Sequence, residues 1–580
     1  VPFVALAVHA AVSACANVPG GSFTPRAAAV HEALPADDPA RSARPVPGAP
    51  SGVARFDRLE LAWPSVDPSR ADEAMVVAPS GAVAVVPAFL AEGQRRVRFA
   101  PREIGRYRYV IREASMPRRA LYSGSFESFP SANPGPVHVD PAQPHRLVFE
   151  DGRPFFILGE NRMNIYDPSW NYEGKGIDDT VRAMAGYGMT TLRVFIGSDA
   201  APQTPGDSRS LGCLEPRLGE YDETVAKRFD AIFDAAEAHG VYVVLTAFAI
   251  GFTPHDAWKG WEDNPYSAAR GGPAREPVDF FTSNEARSLA ERRLRYIVAR
   301  WGYSTHLLAI DLLNEPEWDG AIPESVWIPW AGAMARSLRE ADSSRQLLTV
   351  GSVGLQWNVD GDERPLYASA VDDLVEWHLY GPKTYAPHDN ALEMARKVRE
   401  TYGYGKPVFC GEFAYGGEDP SLYDHTHDGI WAAVFAGGGA LAHSAPPFNV
   451  DSDEPMTPAR GRHFRVLADF LSTLDPSRPL EPDDHVRVTR PAGAAVWALG
   501  KSGYDAFWVL GPETNYGSTV AGARLSIDDV EPGRYRVSLR DDVTGAPLSR
   551  FDAVARGATL AFDLPPFVRH LAGTLEPAPP

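Results

Sequence analysis

The sequence predicts an α/β protein: a central (β/α)8 TIM barrel with one β-sandwich before it and another after it. Three observations predict this. Through the middle of the chain, apolar strand-like runs alternate with helical patterns, as strand–helix units of a parallel barrel do. Two of those runs, Leu312-Leu313-Asn314-Glu315-Pro316 and Val408-Phe409-Cys410-Gly411-Glu412-Phe413, each end in a glutamate, with room between them for roughly three more strand–helix units. At both ends of the chain, short alternating runs separated by turn residues replace the helices.

The elements follow in order. Phe3 to Ala14 is apolar and rich in small residues, too short to span a bilayer as a helix, and reads as the hydrophobic part of a signal peptide over residues 1–15. It ends in Val12-Ser13-Ala14-Cys15, which resembles a lipoprotein cleavage box and makes Cys15 the expected lipidation site. Residues 16–51, rich in Pro, Ala and Gly without an apolar period, are expected to form a flexible tether. Residues 52–137 carry alternating runs such as Phe56-Asp57-Arg58-Leu59-Glu60-Leu61 and Tyr107-Arg108-Tyr109-Val110-Ile111, which predict the first sandwich.

The barrel is assigned to residues 138–478. Leu147 to Phe156 reads as a hairpin around Asp151-Gly152 that feeds the first barrel strand. Strands are expected near Phe155–Asn161, Thr191–Ile196, Val241–Phe248, Leu308–Asn314, Leu347–Ser352, Leu374–Tyr380, Val408–Phe413 and Ala440–His443. Between them, Ala226–His239 puts Phe229, Ile232 and Phe233 on one helical face and stops at Gly240, and Ser283–Trp301 is a longer helix. After Asp475-Pro476-Ser477-Arg478-Pro479 the helices end. Runs such as Ala506-Phe507-Trp508-Val509-Leu510 predict the second sandwich, over residues 479–580.

Bulk composition narrows the chemistry. The 580 residues are 44% hydrophobic and 23% charged, with a formal net charge of −19, ordinary for globular protein and enough chain for about three or four domains. The acidic balance argues against a nucleic-acid partner, which calls for a basic face. Three cysteines imply no disulfide framework and show no zinc spacing. Cys213 and Cys410 could pair only if their Cα atoms lay within about 7 Å; Cys410, on a strand beneath a glutamate, is expected as a buried thiol.

The carboxyl ends of parallel barrel strands converge on one face, and two carboxyls there are the minimum apparatus for cleaving a glycosidic bond. Strand alternation puts Glu376, His378 and Tyr380 on one side, and likewise Val408, Cys410 and Glu412.

Several stretches together resemble one group of enzymes: Phe156-Ile157-Leu158-Gly159-Glu160-Asn161, Leu192-Arg193-Val194-Phe195, Asn264-Pro265-Tyr266, Arg295 to Gly302, Asn314-Glu315-Pro316, Trp377-His378-Leu379-Tyr380-Gly381 and Gly411-Glu412-Phe413. The chain from about Val53 to Asp475 is similar to the clan A retaining glycoside hydrolases, of the family 5-like cellulase or mannanase type, with an N-terminal Ig-like domain. The resemblance implies Glu315 as acid/base and Glu412 as nucleophile. It implies that Asn314 bonds the sugar 2-hydroxyl, that Arg193 lies under the nucleophile, and that His378 and Tyr380 line the pocket. The family's tryptophan-rich segment after the eighth strand is missing: Gly439 to Phe448 holds no tryptophan, so Phe448 or a tryptophan from another loop must supply the sugar platform, or the subsite is remodelled.

Trp258, Trp261, Trp318 and Trp357 follow strands three to five and are candidate sugar-stacking walls, or hydrophobic supports for loops. Glu160 and Asn161 end the first strand as candidate substrate ligands. His425 and His427 are candidates too, with substrate contact by His427 weighed above metal ligation; no metal and no cofactor are expected. The expectation is a secreted or cell-envelope retaining hydrolase of β-linked oligo- or polysaccharides. Its partners are a carbohydrate substrate, no nucleic acid, and a membrane only through the Cys15 anchor. A transglycosylase, or a catalytically silent carbohydrate-binding protein on the same barrel, are the alternatives. Sugar, linkage, endo or exo action and oligomeric state stay open.

Overall fold

The computed structural model describes residues 44–579 apart from 66, 68, 69, 163–164, 166–175, 197–213, 250–260, 318–321, 342–343, 357–363, 381–386, 415–422, 444–456 and 479. Cys15, the expected signal peptide, most of the expected tether, Cys213, Trp258, Trp318, Trp357 and Phe448 therefore lie outside the described residues.

Eight parallel strands close a barrel: β1 (Leu158–Asn161), β2 (Thr191–Phe195), β3 (Tyr242–Thr246), β4 (Leu307–Asn314), β5 (Leu347–Gln356), β6 (Val375–Tyr380), β7 (Val408–Ala414) and β8 (Gly439–His443). β8 pairs back onto β1, Asn161 lying opposite His443. The longer helices outside it are α1 (Ile177–Gly186), α2 (Glu223–His239), α3 (Asn284–Trp301), α4 (Glu324–Ala341), α5 (Pro387–Tyr402), α6 (Asp424–Phe435) and α7 (Pro458–Ser472). α2 starts where the Asp222 side chain accepts from the Thr224 and Val225 amides. It ends at Gly240, whose φ of 73° is left-handed, a conformation that glycine adopts without a Cβ clash.

Two apolar layers hold the barrel. Between strands and helices lie Leu192, Val194, Val243, Leu245, Ile310 and Leu312 with the helix faces. Inside the base lie Tyr242, Val244, Leu308, Leu374, Phe409 and Leu441, joined by Leu147 and Phe155 of the hairpin below. The expected hairpin forms, with Leu147 opposite Phe155. It plugs the amino-terminal end, so polar chemistry is confined to the other end.

At that other end the ladder becomes irregular. Register shifts fall between Asp311 and Asn314, between Trp377 and His378, and between Cys410 and Phe413. The last corrects the expected alternation of β7. Val408 and Cys410 face the helix layer. A bulge at Gly411 then puts Glu412 opposite His378, turning the glutamate into the barrel. Bulges re-aim side chains in this way near active sites.

Before the barrel, a five-stranded and a three-stranded sheet enclose Leu59, Leu61, Trp63, Ile111 and Phe126. The expected tether is shorter than residue 51: Val46 is buried in this core, and the Ser123 amide donates to the Arg44 carbonyl. An apolar anchor was hidden in a Pro-rich stretch. After the barrel, a five-stranded sheet faces a three-stranded one over Phe507, Val537 and Leu571. Its other face, with Leu499, Ala506, Trp508, Leu510 and Ala572, joins the barrel's helix-side core. No described helix is long and apolar enough to cross a membrane.

Candidate active site

The site is built around one buried guanidinium. Arg193 projects from β2 and pairs with three carboxylates: Glu412 through Nη1 at 2.5 Å, Asp311 through Nη2 at 2.7 Å and Glu376 through Nε at 2.8 Å. It also donates to Asn314 Oδ1 at 2.8 Å and Asn161 Oδ1 at 3.2 Å. A buried ion pair is held only where its remaining lone pairs and protons are satisfied. Asp311 meets that condition by accepting from Thr246 Oγ1 at 2.8 Å and from the Gly351 amide at 3.0 Å.

Above this layer stand two glutamates. Glu412, turned inward by the bulge, also accepts a hydrogen bond from the Tyr380 hydroxyl. Glu315 follows the end of β4 with a φ of 45°, a left-handed conformation that costs a non-glycine residue about 1–2 kcal/mol. Its amide donates to the Gly351 carbonyl at 2.6 Å, and its Oε1 lies 2.6 Å from His378 Nδ1. His378 Nδ1 is 3.9 Å from Glu412 Oε2, and carboxyl oxygens of the two glutamates come within 4.8 Å of each other. Among the described residues, the eighth strand contributes His443, its ring 6.1 Å from that of Tyr380.

The environments push the two carboxyls apart. Burial, reinforced by the charge of Glu412, raises the pKa of Glu315 against the pull of His378 and Arg193. Burial acts on Glu412 too, but His378 and Arg193 overcome it and hold this carboxyl at about 2. Burial works against a charge on His378, yet Glu412 and Glu315 lift it to about 10. The Tyr380 phenol, raised by burial and by Glu412, stays a donor. Burial lowers His443 to about 4 and keeps it neutral. One carboxyl pushed up beside one held low is the pattern of an acid and a nucleophile.

Of the residues predicted from sequence, Asn161, Arg193, Asn314, Glu315, His378, Tyr380 and Glu412 come together here. Three do not. Glu160 is next to Asn161 on β1, and adjacent strand residues face opposite ways; its carboxylate pairs with Arg162 at 2.7 Å and Arg460 at 3.1 Å. Trp261 is buried and donates from its indole nitrogen to the Arg275 carbonyl at 3.2 Å, so it supports a loop rather than offering an open face. His427 is buried in α6, against His463 at 3.0 Å and Asp542 at 3.3 Å, because the second sandwich folds back over that helix. His425 is likewise buried, its ring against the Asn390 side chain. Sequence reading missed Asp311 and undervalued Glu376 and His443. The signal for Asp311 was a lone charge inside the apolar run Leu307 to Leu313.

Among the described residues, two groups have the donors and spacing that a metal ion would need, Glu315–His378–Glu412 and His427–Asp542–His570. In the second, every one of the donor atoms is engaged with a neighbouring side chain, Asp542 Oδ1 with His570 at 2.7 Å among them.

Comparison with known proteins agrees with this geometry. The family model described as cellulase (glycosyl hydrolase family 5) matches residues 150–439. Mannan endo-1,4-β-mannosidase 3 of Oryza sativa subsp. japonica is 23% identical over 354 residues, 53% of this chain and 71% of that protein. Mannan endo-1,4-β-mannosidase 2 of the same organism is 25% identical over 349 residues, 51% of this chain and 74% of that one. A Bacteroides vulgatus protein provisionally assigned as a glycoside hydrolase superimposes with a TM-score of 0.65 at 15% identity, over 91% of this chain and 100% of its own.

Proposed function

Since the chain belongs to glycosyl hydrolase family 5, we propose that Glu412 is the nucleophile and Glu315 the acid/base of a retaining hydrolase acting on β-1,4-linked mannan. Glu412 attacks the anomeric carbon while Glu315 gives its proton to the departing glycosidic oxygen, leaving a glycosyl-enzyme ester. Glu315, now a carboxylate, takes a proton from water, which attacks the same carbon and releases Glu412. Arg193 and Tyr380 keep Glu412 ionised and aimed, His378 orients Glu315, and Asn314 and Asn161 meet the sugar hydroxyls.

The observation that carries this is the approach of the two carboxyls to within 4.8 Å. Retaining enzymes hold their carboxyls about 5–5.5 Å apart and inverting ones about 6.5–9.5 Å. Mannan as substrate is supported by the mannosidase relatives. Hydrolysis of β-mannan, cellulose and xylan, with proton NMR of the first-formed anomer and Glu412→Ala as control, tests the reading. Mannan should be cleaved with retention and the variant should be inactive. Inversion, or an active Glu412→Ala, overturns the mechanism; activity confined to cellulose or xylan overturns the substrate.

The Val12-Ser13-Ala14-Cys15 segment supports a lipid-anchored envelope location. Cys15→Ser should move the protein from the membrane to the soluble fraction of its host; identical fractionation counts against the anchor.

A further inference from the structure

Glu376 has no part in the steps above, yet it is among the most deeply placed groups in the barrel, with no exposed surface. It lies between the two cations of the site: 2.8 Å from Arg193 Nε, and 3.8 Å from His378 Nε2 on the side of that ring away from Glu315. Space has been left for it. A Cβ at Gly411, the bulge residue beside the nucleophile, would lie 2.2 Å from Glu376 Oε1. A Cβ at Gly351 would lie 2.7 Å from Arg193 Nη2 and 3.2 Å from His378 Nε2. The charged groups acting on the Glu376 carboxylate are Arg193 from β2, Asp311 from β4, His378 on its own strand and Asp372 below; Cys410, on the outer side of β7, is within electrostatic range.

Arg193 is already matched by Asp311 and Glu412. A third carboxylate on one guanidinium adds a buried negative charge that structure alone does not require, and such a charge is costly unless a further positive charge answers it. Among the described residues, the other cation acting on it is a protonated His378, whose Nδ1 touches Glu315.

We infer that Glu376 is a positioning residue: its carboxylate clamps Arg193 beneath the nucleophile and holds a proton on the His378–Glu315 pair. This deepens the reading of Glu315 as acid/base and rests on it. A negative charge near that pair favours its protonated form. The enzyme then keeps a usable acid to higher pH than it could without Glu376.

The test compares wild type with Glu376→Gln and Glu376→Met, both uncharged and close in size, and Glu376→Asp, which keeps the charge. The titration of His378 is followed by imidazole nitrogen NMR on the intact protein, without substrate, and the pH dependence of kcat/KM is followed on mannan. In both neutral variants His378 should lose its proton about one pH unit lower or more, and the basic limb of kcat/KM should move the same way. Activity on the acidic side should be affected less, and Glu376→Asp should restore most of the basic limb. A folded neutral variant with wild-type His378 titration and an unmoved basic limb overturns the inference. Failure of both neutral variants to fold overturns it too, by making Glu376 a structural keystone. Inactivity of wild type on mannan would count against the functional reading alone, because the His378 titration decides this one without substrate.

Discussion

Arg193 divides one positive charge among Asp311, Glu376 and Glu412, and the reactivity of the site depends on that division. Replacing it by Met should raise the pKa of Glu412, because burial would then act on it with less opposition. A nucleophile whose pKa is held low is active down to acidic pH. Losing Arg193 should therefore move the acidic limb of kcat/KM upward and lower the rate at least 100-fold; an active variant with an unmoved acidic limb would exclude this role. Glu315→Gln and Glu412→Gln should each remove most activity on mannan, by different routes. Aryl glycosides with good leaving groups need little protonation, so Glu315→Gln should still release the aryl group and accumulate glycosyl-enzyme, visible as a burst and by intact-mass measurement. Glu412→Gln should show neither. These residues were legible in the sequence because motifs at strand ends carry them. Asp311 was not, and Glu376 was legible only as a position on the His378 side of its strand, because a buried partner of an arginine has no local pattern of its own.

At the scale of elements, the strands were legible from their apolar runs, since all eight are buried along nearly their whole length. Register was not: the Gly411 bulge that inverts the facing of Glu412 leaves only a glycine in the sequence, and glycine has many uses. The environment of α6 was hidden for another reason. His427 and His463 meet Asp542 and His570 from the far sandwich, contacts that only the complete fold brings about. Burial lowers His427 to about 4, helped by the charge of His570, and lowers His463 to about 3, helped by His427. An unfolded chain takes up a proton at each as pH falls through about 6.5, while the folded one does not until near the lowered values. Stability is therefore lost on acidification between about pH 6.5 and 4, by up to ~1.4 kcal/mol per pH unit for each histidine. Asp428, raised by burial to about 7, gives some back over the same window. His463→Gln removes one of the two histidines. Its urea-unfolding free energy should decline less steeply than wild type between pH 6.5 and 4.5, and parallel slopes would show that His463 is not held neutral.

The whole molecule depends on how the second sandwich is attached. From His425 to Phe435 every residue of α6 is buried. A barrel helix buried on every side must be covered on its outer face, and the cover is supplied by Leu499, Ala506, Trp508, Leu510 and Ala572. Trp508 stacks on Trp497 with ring centres 5.6 Å apart and lies 6.3 Å from Trp431 of α6, while its indole nitrogen donates to Asp542 at 2.5 Å. The sandwich is thus part of the barrel's core, not a module on a linker, and its removal would open apolar surface on the flank of β7 and β8, next to Glu412 and His443. Trp508→Ala deletes the centre of that contact and should cost about 3–5 kcal/mol, the range for large aromatic truncations in cores. It should lower activity only as far as it unfolds the chain. A chain truncated after Arg478 should fail to yield a soluble, cooperatively unfolding barrel. Calorimetry separates the cases: one cooperative transition for the full chain, shifted down in Trp508→Ala, is expected if the sandwich and barrel share a core. A well-folded truncated barrel with wild-type activity on mannan would show instead that the two units are energetically independent.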